Sequence, residues 1–254
     1  MNNIIPVFIT VRTSSTRLPN KALLKINNTH MIILLVQRIS KIKNSKVVVC
    51  TTTKESDDDL VKLLQTNNVT VFRGDNEDIL KRLYDASIQF NVDKFVVVEG
   101  DDLFCDSKLV EDTWKTLSES DTEFVFWENI PIGSSPTGIK SNRLRILIEK
   151  KKSRNTETGW IKFILDSGLF KNQILRHPDT ELHRTDIRLT VDYKEDYDLA
   201  TKLYYKLPEN FSLNDVIHII DKNPDLKKIN EHVKEHYIEN FKKKMINEQL
   251  SGDA

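Results

Sequence analysis

The chain has 254 residues, 39% of them hydrophobic, and its 38 Lys plus Arg are balanced by 38 Asp plus Glu. That length suits one large α/β domain with a substantial core, and zero formal net charge excludes the global basic field that draws proteins to nucleic acid or anionic membrane. No apolar run approaches the ~20 residues of a membrane span, no charged leader precedes the first apolar segment, and Cys50 and Cys105 lie outside any C-x-x-C arrangement, so the expectation is a soluble, cytoplasmic protein with reduced thiols.

Apolar runs then alternate with amphipathic ones. Ile4, Ile5, Val7, Phe8, Ile9 and Val11 predict a strand over 4–11. A helix over 31–42, a strand over 46–51, a helix over 56–67 and a strand over 69–72 follow. The order continues through a helix over 78–90, a strand over 94–98, a helix over 107–117 and a strand over 123–127. Such alternation predicts an α/β class, a doubly wound, mostly parallel sheet with helices on both faces. Between about 130 and 188 the rhythm breaks: Pro131, Gly133, Pro136 and Gly138 precede Lys150-Lys151-Lys152 and a short helix near 159–165. An inserted lobe or β-arm is the expectation there. A strand over 187–191 and a helix over 194–207 resume the pattern, and a charged helical tail over about 211–254 is interrupted at Asn223-Pro224.

The first strand runs into Val11-Arg12-Thr13-Ser14-Ser15-Thr16-Arg17-Leu18-Pro19-Asn20-Lys21, three cations and four hydroxyls in eleven residues. Open α/β sheets place ligands at the carboxyl ends of their strands. Arginine offers fork donors to phosphate oxygens, lysine a point charge, and tight-loop amides an anion nest. Three clustered cations suit a triphosphate better than a single carboxylate. Glu99-Gly100-Asp101-Asp102 leaves another strand end beside this loop, where magnesium would need only a few carboxylates plus phosphates and water. Asp192 supplies a second strand-end carboxylate; with Glu195 three positions on, it reads equally as a helix cap. Asp101 and Asp102 read alternatively as solvated turn carboxylates. Arg73 and Arg82 point toward the same crevice or pair with Asp75 or Asp85. His177, His183, His218, His232 and His236 show no ligand spacing, and the lysine run at 150–152 reads as a solvated face. No G-x-G-x-x-G, G-x-x-x-x-G-K-[ST] or G-x-S-x-G is present, which removes the main support for dinucleotide oxidoreductases, P-loop ATPases and α/β-hydrolases.

In this order, the segment from Arg12 to Lys21, Phe72-Arg73-Gly74-Asp75-Asn76-Glu77-Asp78-Ile79-Leu80, Gly100-Asp101, the segment from Leu189 to Tyr197, and Asn223-Pro224-Asp225-Leu226 before Ile229-Asn230 resemble the cytidylyltransferases that make CMP-activated sugar acids. The branch most similar is that of spore-coat polysaccharide biosynthesis, related to the CMP-Kdo and CMP-sialic acid synthetases. The resemblance implies a Rossmann-like, three-layer nucleotidyltransferase domain over 1–254. The inserted arm would serve the acceptor pocket and a homodimer. It further implies that Arg12, Thr13, Ser14, Ser15, Arg17 and Lys21 hold CTP with Arg73, Arg82, Glu99 and Gly100, that Asp101 and Asp192 hold Mg2+, and that Arg12, Lys21, Asp101 and Asp192 carry catalysis. Four positions depart from the family pattern: Asn20 where glycine is common, Leu103 where proline is common, and Glu99 and Asp102, which add acidity.

The expected reaction is attack by an oxygen of a sugar acid, phosphate or phosphonate on the α-phosphate of CTP, releasing pyrophosphate. It requires positioning and charge rather than a side-chain nucleophile. A nucleotide-sugar glycosyltransferase and a catalytically silent nucleotide-binding partner are the alternatives. The partners expected are small molecules and a second copy of the chain, with neither nucleic acid nor membrane.

Overall fold

The computed structural model describes residues 4–233 and residue 237. Ile5–Thr10 (β1) buries all six of its residues, as a central parallel strand covered on both faces must. Lys25–Ile26 (β2) and Thr29–His30 (β3) form a small antiparallel hairpin, closed by Asn27 and Asn28, both at positive φ, the backbone that a two-residue hairpin turn demands. Met31–Ser40 (α1), Ser45–Thr52 (β4), Asp58–Thr66 (α2), Thr70–Gly74 (β5), Ile79–Gln89 (α3), Lys94–Glu99 (β6) and Ser107–Glu119 (α4) follow in the expected order. Next come Phe124–Trp127 (β7), Thr137–Lys140 (β8), Ser141–Lys150 (α5), Trp160–Ser167 (α6) and Asn172–Leu175 (β9). Lys194–Lys206 (α7), Leu213–Lys222 (α8) and Pro224–Lys228 (α9) complete the described helices. None of them is long and apolar enough to cross a membrane.

The main sheet has seven strands in the order β5-β4-β1-β6-β8-β7-β9, and β8 alone runs against the others. This is the doubly wound, mostly parallel architecture that the alternating runs predict. Strand period assigns the two cores. Ile5, Val7 and Ile9 of β1 join Val96 and Val98 of β6 in one core with α1, α2, α4, α7 and α8. Phe8, Phe95 and Val97 face the opposite way, into a core shared with α3, α5 and α6. There Phe8 stacks on Phe95 with ring centroids 4.5 Å apart. Since the chain leaves β1 toward β4 on one side and reaches β6 on the other, the crevice between the β1 and β6 ends is the topological switch point where such sheets bind ligands.

Three expectations are revised. The stretch over 130–188 does not stand apart from the sheet: β8 enters between β6 and β7, β9 extends the edge, and α5 and α6 cover one face. Lys151 of the lysine run is buried against Asp78 at 2.5 Å. The segment over 187–191 is no sheet strand. Arg188 makes a single bridge to Ile132, and Val191 N–H donates to the Asp101 carbonyl at 3.0 Å, so the segment crosses the carboxyl end of the sheet, whose edges are β5 and β9. Of the expected tail, α8 and α9 are present with the break at Asn223, while 234–236 and 238–254 lie outside the described residues.

Gly133 lets the crossing segment come this close. It has φ +88°, and a Cβ there would lie 2.1 Å from the Thr190 nitrogen. Gly133→Ala is expected to destabilise the fold by ~2 kcal/mol or more, measured by urea unfolding.

Candidate active site

The loop after β1 and the loop after β6 face each other across a cavity of about 740 Å³. Gly100 N–H donates to the Thr10 carbonyl at 2.8 Å, and a Cβ on Gly100 would approach the Val11 Cβ to 2.6 Å. Only glycine lets the acidic turn lie against the end of β1. Arg12, Ser14, Ser15, Arg17, Lys21, Arg82, Glu99, Gly100, Asp101 and Asp192 all line the cavity. Thus most of the residues expected at a nucleotide site meet there, although Arg17 and Asp192, which touch, are 175 positions apart.

Lys21 is the junction. Its ammonium donates to Asp101 and, at 2.8 Å, to Asp192 Oδ1, which also accepts from Arg17 Nη2 at 2.6 Å. Burial lowers the Lys21 pKa, but the two carboxylates more than reverse this and hold it above the ordinary lysine value. Burial likewise raises Asp192, and Lys21 with Arg17 drives it well below the usual carboxylate range. Glu99 and Asp102 form no ion pair among the described residues, and the pull of Lys21 on Glu99 is outweighed. Burial and then the neighbouring Asp101 push Glu99 up to about 7, with Trp160 Nε1 donating to it at 3.0 Å. Burial and the same carboxylates raise Asp102 well above its ordinary value, so the solvated-turn reading does not hold for it.

Asp192 is not the cap of α7: Tyr193 holds that position, and Asp196, third in the helix, reaches back so that its Oδ2 accepts from the backbone nitrogens of Asp192 and Tyr193 at 3.0 and 3.1 Å. Arg188 links the two carboxylates: Nε donates to Asp196 Oδ1 at 3.0 Å and Nη2 to Asp192 Oδ2 at 3.1 Å. Asn230 holds both members from behind, donating to Asp196 Oδ1 at 2.8 Å and to the Arg188 carbonyl at 3.0 Å. Arg17 Nε and Arg188 Nη1 are buried without a hydrogen-bond partner among the described residues, and Arg17, which lines the cavity, is the donor that an anion there could satisfy.

Two expected ligand residues face elsewhere. Thr13 is 4% exposed, and its amide and hydroxyl both donate to Asp57, at 2.9 and 2.6 Å. Arg73 lies outside the cavity wall; it donates to the carbonyls of Thr52 and Lys54 and pairs with Asp58 at 2.7 Å. Arg82 does point inward, but its carboxylate is neither Asp75 nor Asp85. Glu157 pairs with it, and Arg82 Nε donates to the Asp75 carbonyl at 2.9 Å.

Several site residues carried no sequence signal that separated them from their neighbours. Glu157 stands in an aperiodic loop, Trp160 opens α6 just after Gly159, and Tyr237 lies in the charged tail, yet all three line the cavity. Asp57 hides in an acidic run that reads as an ordinary helix start. It is completely buried and gathers Thr13, Thr51 and Thr52, tying the β1 loop to the end of β4.

A family model described as cytidylyltransferase matches residues 6–244. An uncharacterised protein of Methanocaldococcus jannaschii, MJ1063, is 32% identical over 234 residues, covering 89% of this chain and 94% of that one. The spore coat polysaccharide biosynthesis protein SpsF of Bacillus subtilis is 26% identical over 237 residues, covering 89% and 97%. Among solved structures, a cytidylyltransferase from Leptospira borgpetersenii superimposes with a TM-score of 0.76 at 27% identity, covering 87% and 95%.

Two measurements check the loop. Asn20, at φ 53° and ψ 29°, adopts the left-handed conformation that glycine enters freely and asparagine tolerates, which accounts for its standing where glycine is common. Asn20→Gly is therefore expected to bind nucleotide as the parent does, and Asn20→Val about tenfold more weakly, by calorimetry. At Asp57 burial raises the pKa, but the donors from Thr13, Thr52 and Thr51 outweigh it, leaving a net depression. Its stabilisation is thus full above about pH 4, the unfolded carboxylate value, and fades as pH falls through the lower folded value. In urea unfolding from pH 6 to 3, Asp57→Asn is expected to be less stable at pH 6 and less sensitive to acid.

Proposed function

The chain belongs to the cytidylyltransferase family, a nucleotidyltransferase by that membership, and from this premise we propose that it transfers CMP from CTP to an anionic acceptor, a sugar acid or a phosphate- or phosphonate-bearing compound, releasing pyrophosphate. The single observation that carries the reading is the meeting of Arg17 and Lys21 from the β1 loop with Asp101 and Asp192 in one cavity at the switch point. A triphosphate needs cations that can be drawn from their carboxylate partners to phosphate oxygens. Carboxylates so released could hold a divalent metal.

The donors suit Mg2+. Two carboxylates from separate chain segments converge on one cationic position, now taken by the Lys21 ammonium, and their oxygens are the hard donors that Mg2+ prefers. Among the described residues no group of three His, Cys, Asp or Glu is arranged to hold a metal. Asp101 and Asp192 would therefore hold the ion together with phosphate oxygens and water, and when bound it would neutralise charge at the α-phosphate. The chain's own contribution is positional. Arg17 and Lys21 orient the phosphates and stabilise the departing pyrophosphate, while the orphan Nε of Arg17 offers a further contact to negative charge.

SpsF's role in spore coat polysaccharide biosynthesis supports placing the product in surface polysaccharide or glycoconjugate synthesis. A homodimer and a cytoplasmic location complete the proposal.

The test is pyrophosphate release from CTP, with magnesium, across a panel of sugar acids, phosphates and phosphonates. One acceptor is expected to give turnover, with Lys21→Met and Asp101→Asn each reducing it by ~10²-fold or more. Tight binding of CTP with no release for any acceptor would sink the catalytic reading.

A further inference from the structure

Apart from Lys162, which pairs with Asp166, the cavity presents two groups of cations, and each is paired with protein carboxylates. Arg17 and Lys21 rest on Asp101 and Asp192. On the other group, Glu157 stands between two guanidinium groups: Oε2 lies 3.3 Å from Arg12 Nε, and Oε1 accepts from Arg82 Nη2. All three residues line the cavity. The Arg82 side chain is 1% exposed and that of Glu157 6%, whereas Arg12 is 32% exposed and forms the open side of the pair.

The loop that carries Glu157 is tied down on both sides of it. Thr156 donates from its nitrogen to the Glu77 carbonyl at 3.0 Å and from its hydroxyl to Asp78 Oδ1 at 2.7 Å. Lys151 pairs with the other oxygen of Asp78, and Trp160 is fixed on Glu99. With the loop held on either side, exchange of Glu157 for another anion would be a rotation of its side chain alone.

Two guanidinium groups sharing one carboxylate retain a net positive charge inside a cavity wall. A buried arginine without a counter-anion is costly, so Glu157 stabilises the empty pocket. The same carboxylate stands where a stronger anion would bind, because arginine forks match phosphate and carboxylate oxygens alike.

We propose that Arg12 and Arg82 form an oxyanion seat separate from that of Arg17 and Lys21, that Glu157 fills it as an internal counter-anion, and that a phosphate or carboxylate group of a ligand takes the seat by displacing Glu157. The proposal rests on reading the cavity as the active site. The incoming oxyanion belongs either to the phosphate chain of the nucleotide or to the acceptor.

The prediction has a sign that simple damage to the fold does not share. Removing the charge of Glu157 lowers stability yet opens the seat. In calorimetric titration of the full chain with inorganic phosphate, Glu157→Gln is expected to bind about tenfold more tightly than the parent, and adding Arg12→Gln to remove that gain. A Glu157→Gln protein that melts cooperatively and binds phosphate no more tightly overturns the proposal. Should that variant fail to fold, Arg12→Gln alone in the parent is expected to weaken phosphate binding several-fold, and unchanged affinity is the overturning result. Repeating the titration with saturating CTP separates the sources: a gain abolished by CTP assigns the seat to the nucleotide phosphates, and a retained gain assigns it to the acceptor. If CTP itself does not bind, the cytidylyltransferase reading fails, while tighter phosphate binding by Glu157→Gln still supports the seat.

Discussion

The ammonium of Lys21 is the interaction on which the site depends. It brings together the loop after β1, the turn after β6 and the segment entering α7, contributed by Lys21, Asp101 and Asp192. Among the carboxyl groups that line the cavity, Glu99, Asp101, Asp102 and Asp192 act on one another, and like charges so close cannot all remain ionised without cations. The structure resolves this in two ways. Asp192 keeps its charge because Lys21 and Arg17 face it, whereas burial and neighbouring carboxylates push Glu99 and Asp102 toward their protonated forms.

That balance requires the backbone around it to be held, and two buried carboxylates outside the chemistry do so. Asp57 accepts from three threonines and fixes the β1 loop against the end of β4. Asp196, braced by Arg188 and Asn230, caps the entry to α7 and so sets where Asp192 points. A satisfied buried carboxylate is stiff because every alternative geometry leaves a charge unpaired. The cations facing the cavity can then exchange partners while the loops that carry them stay fixed.

The departures from the family pattern become intelligible in the same terms. Asn20 occupies the left-handed conformation at the end of the loop, and Leu103 is fully buried in the core, its carbonyl accepting from the Tyr204 hydroxyl. Glu99 is locked by Trp160, which arrives from the middle of the chain. The middle segment supplies two strands, β8 and β9, to the sheet and the residues Glu157 and Trp160 to the cavity wall.

Periodicity was enough to read β1, β4, β5, β6 and β7 and the helices between them, because a strand buried on both faces and a helix buried on one leave distinct apolar spacings. The cationic loop and Asp101 were legible too, since charge placed after an apolar strand has to emerge at the ligand-binding end of the sheet, whereas Asp192 arrives on a crossing segment that is no sheet strand. Contacts between distant segments leave no local period. Nothing around Thr13 says that its hydroxyl turns to Asp57, nothing around Arg73 that it holds the turn after β4, and nothing around Glu157 that it lies between Arg12 and Arg82. The sequence by itself determined the layers, the switch point and which charges gather there. Only the tertiary structure decided which charge faces which, because pairing depends on distances of a few ångströms between residues far apart in the chain.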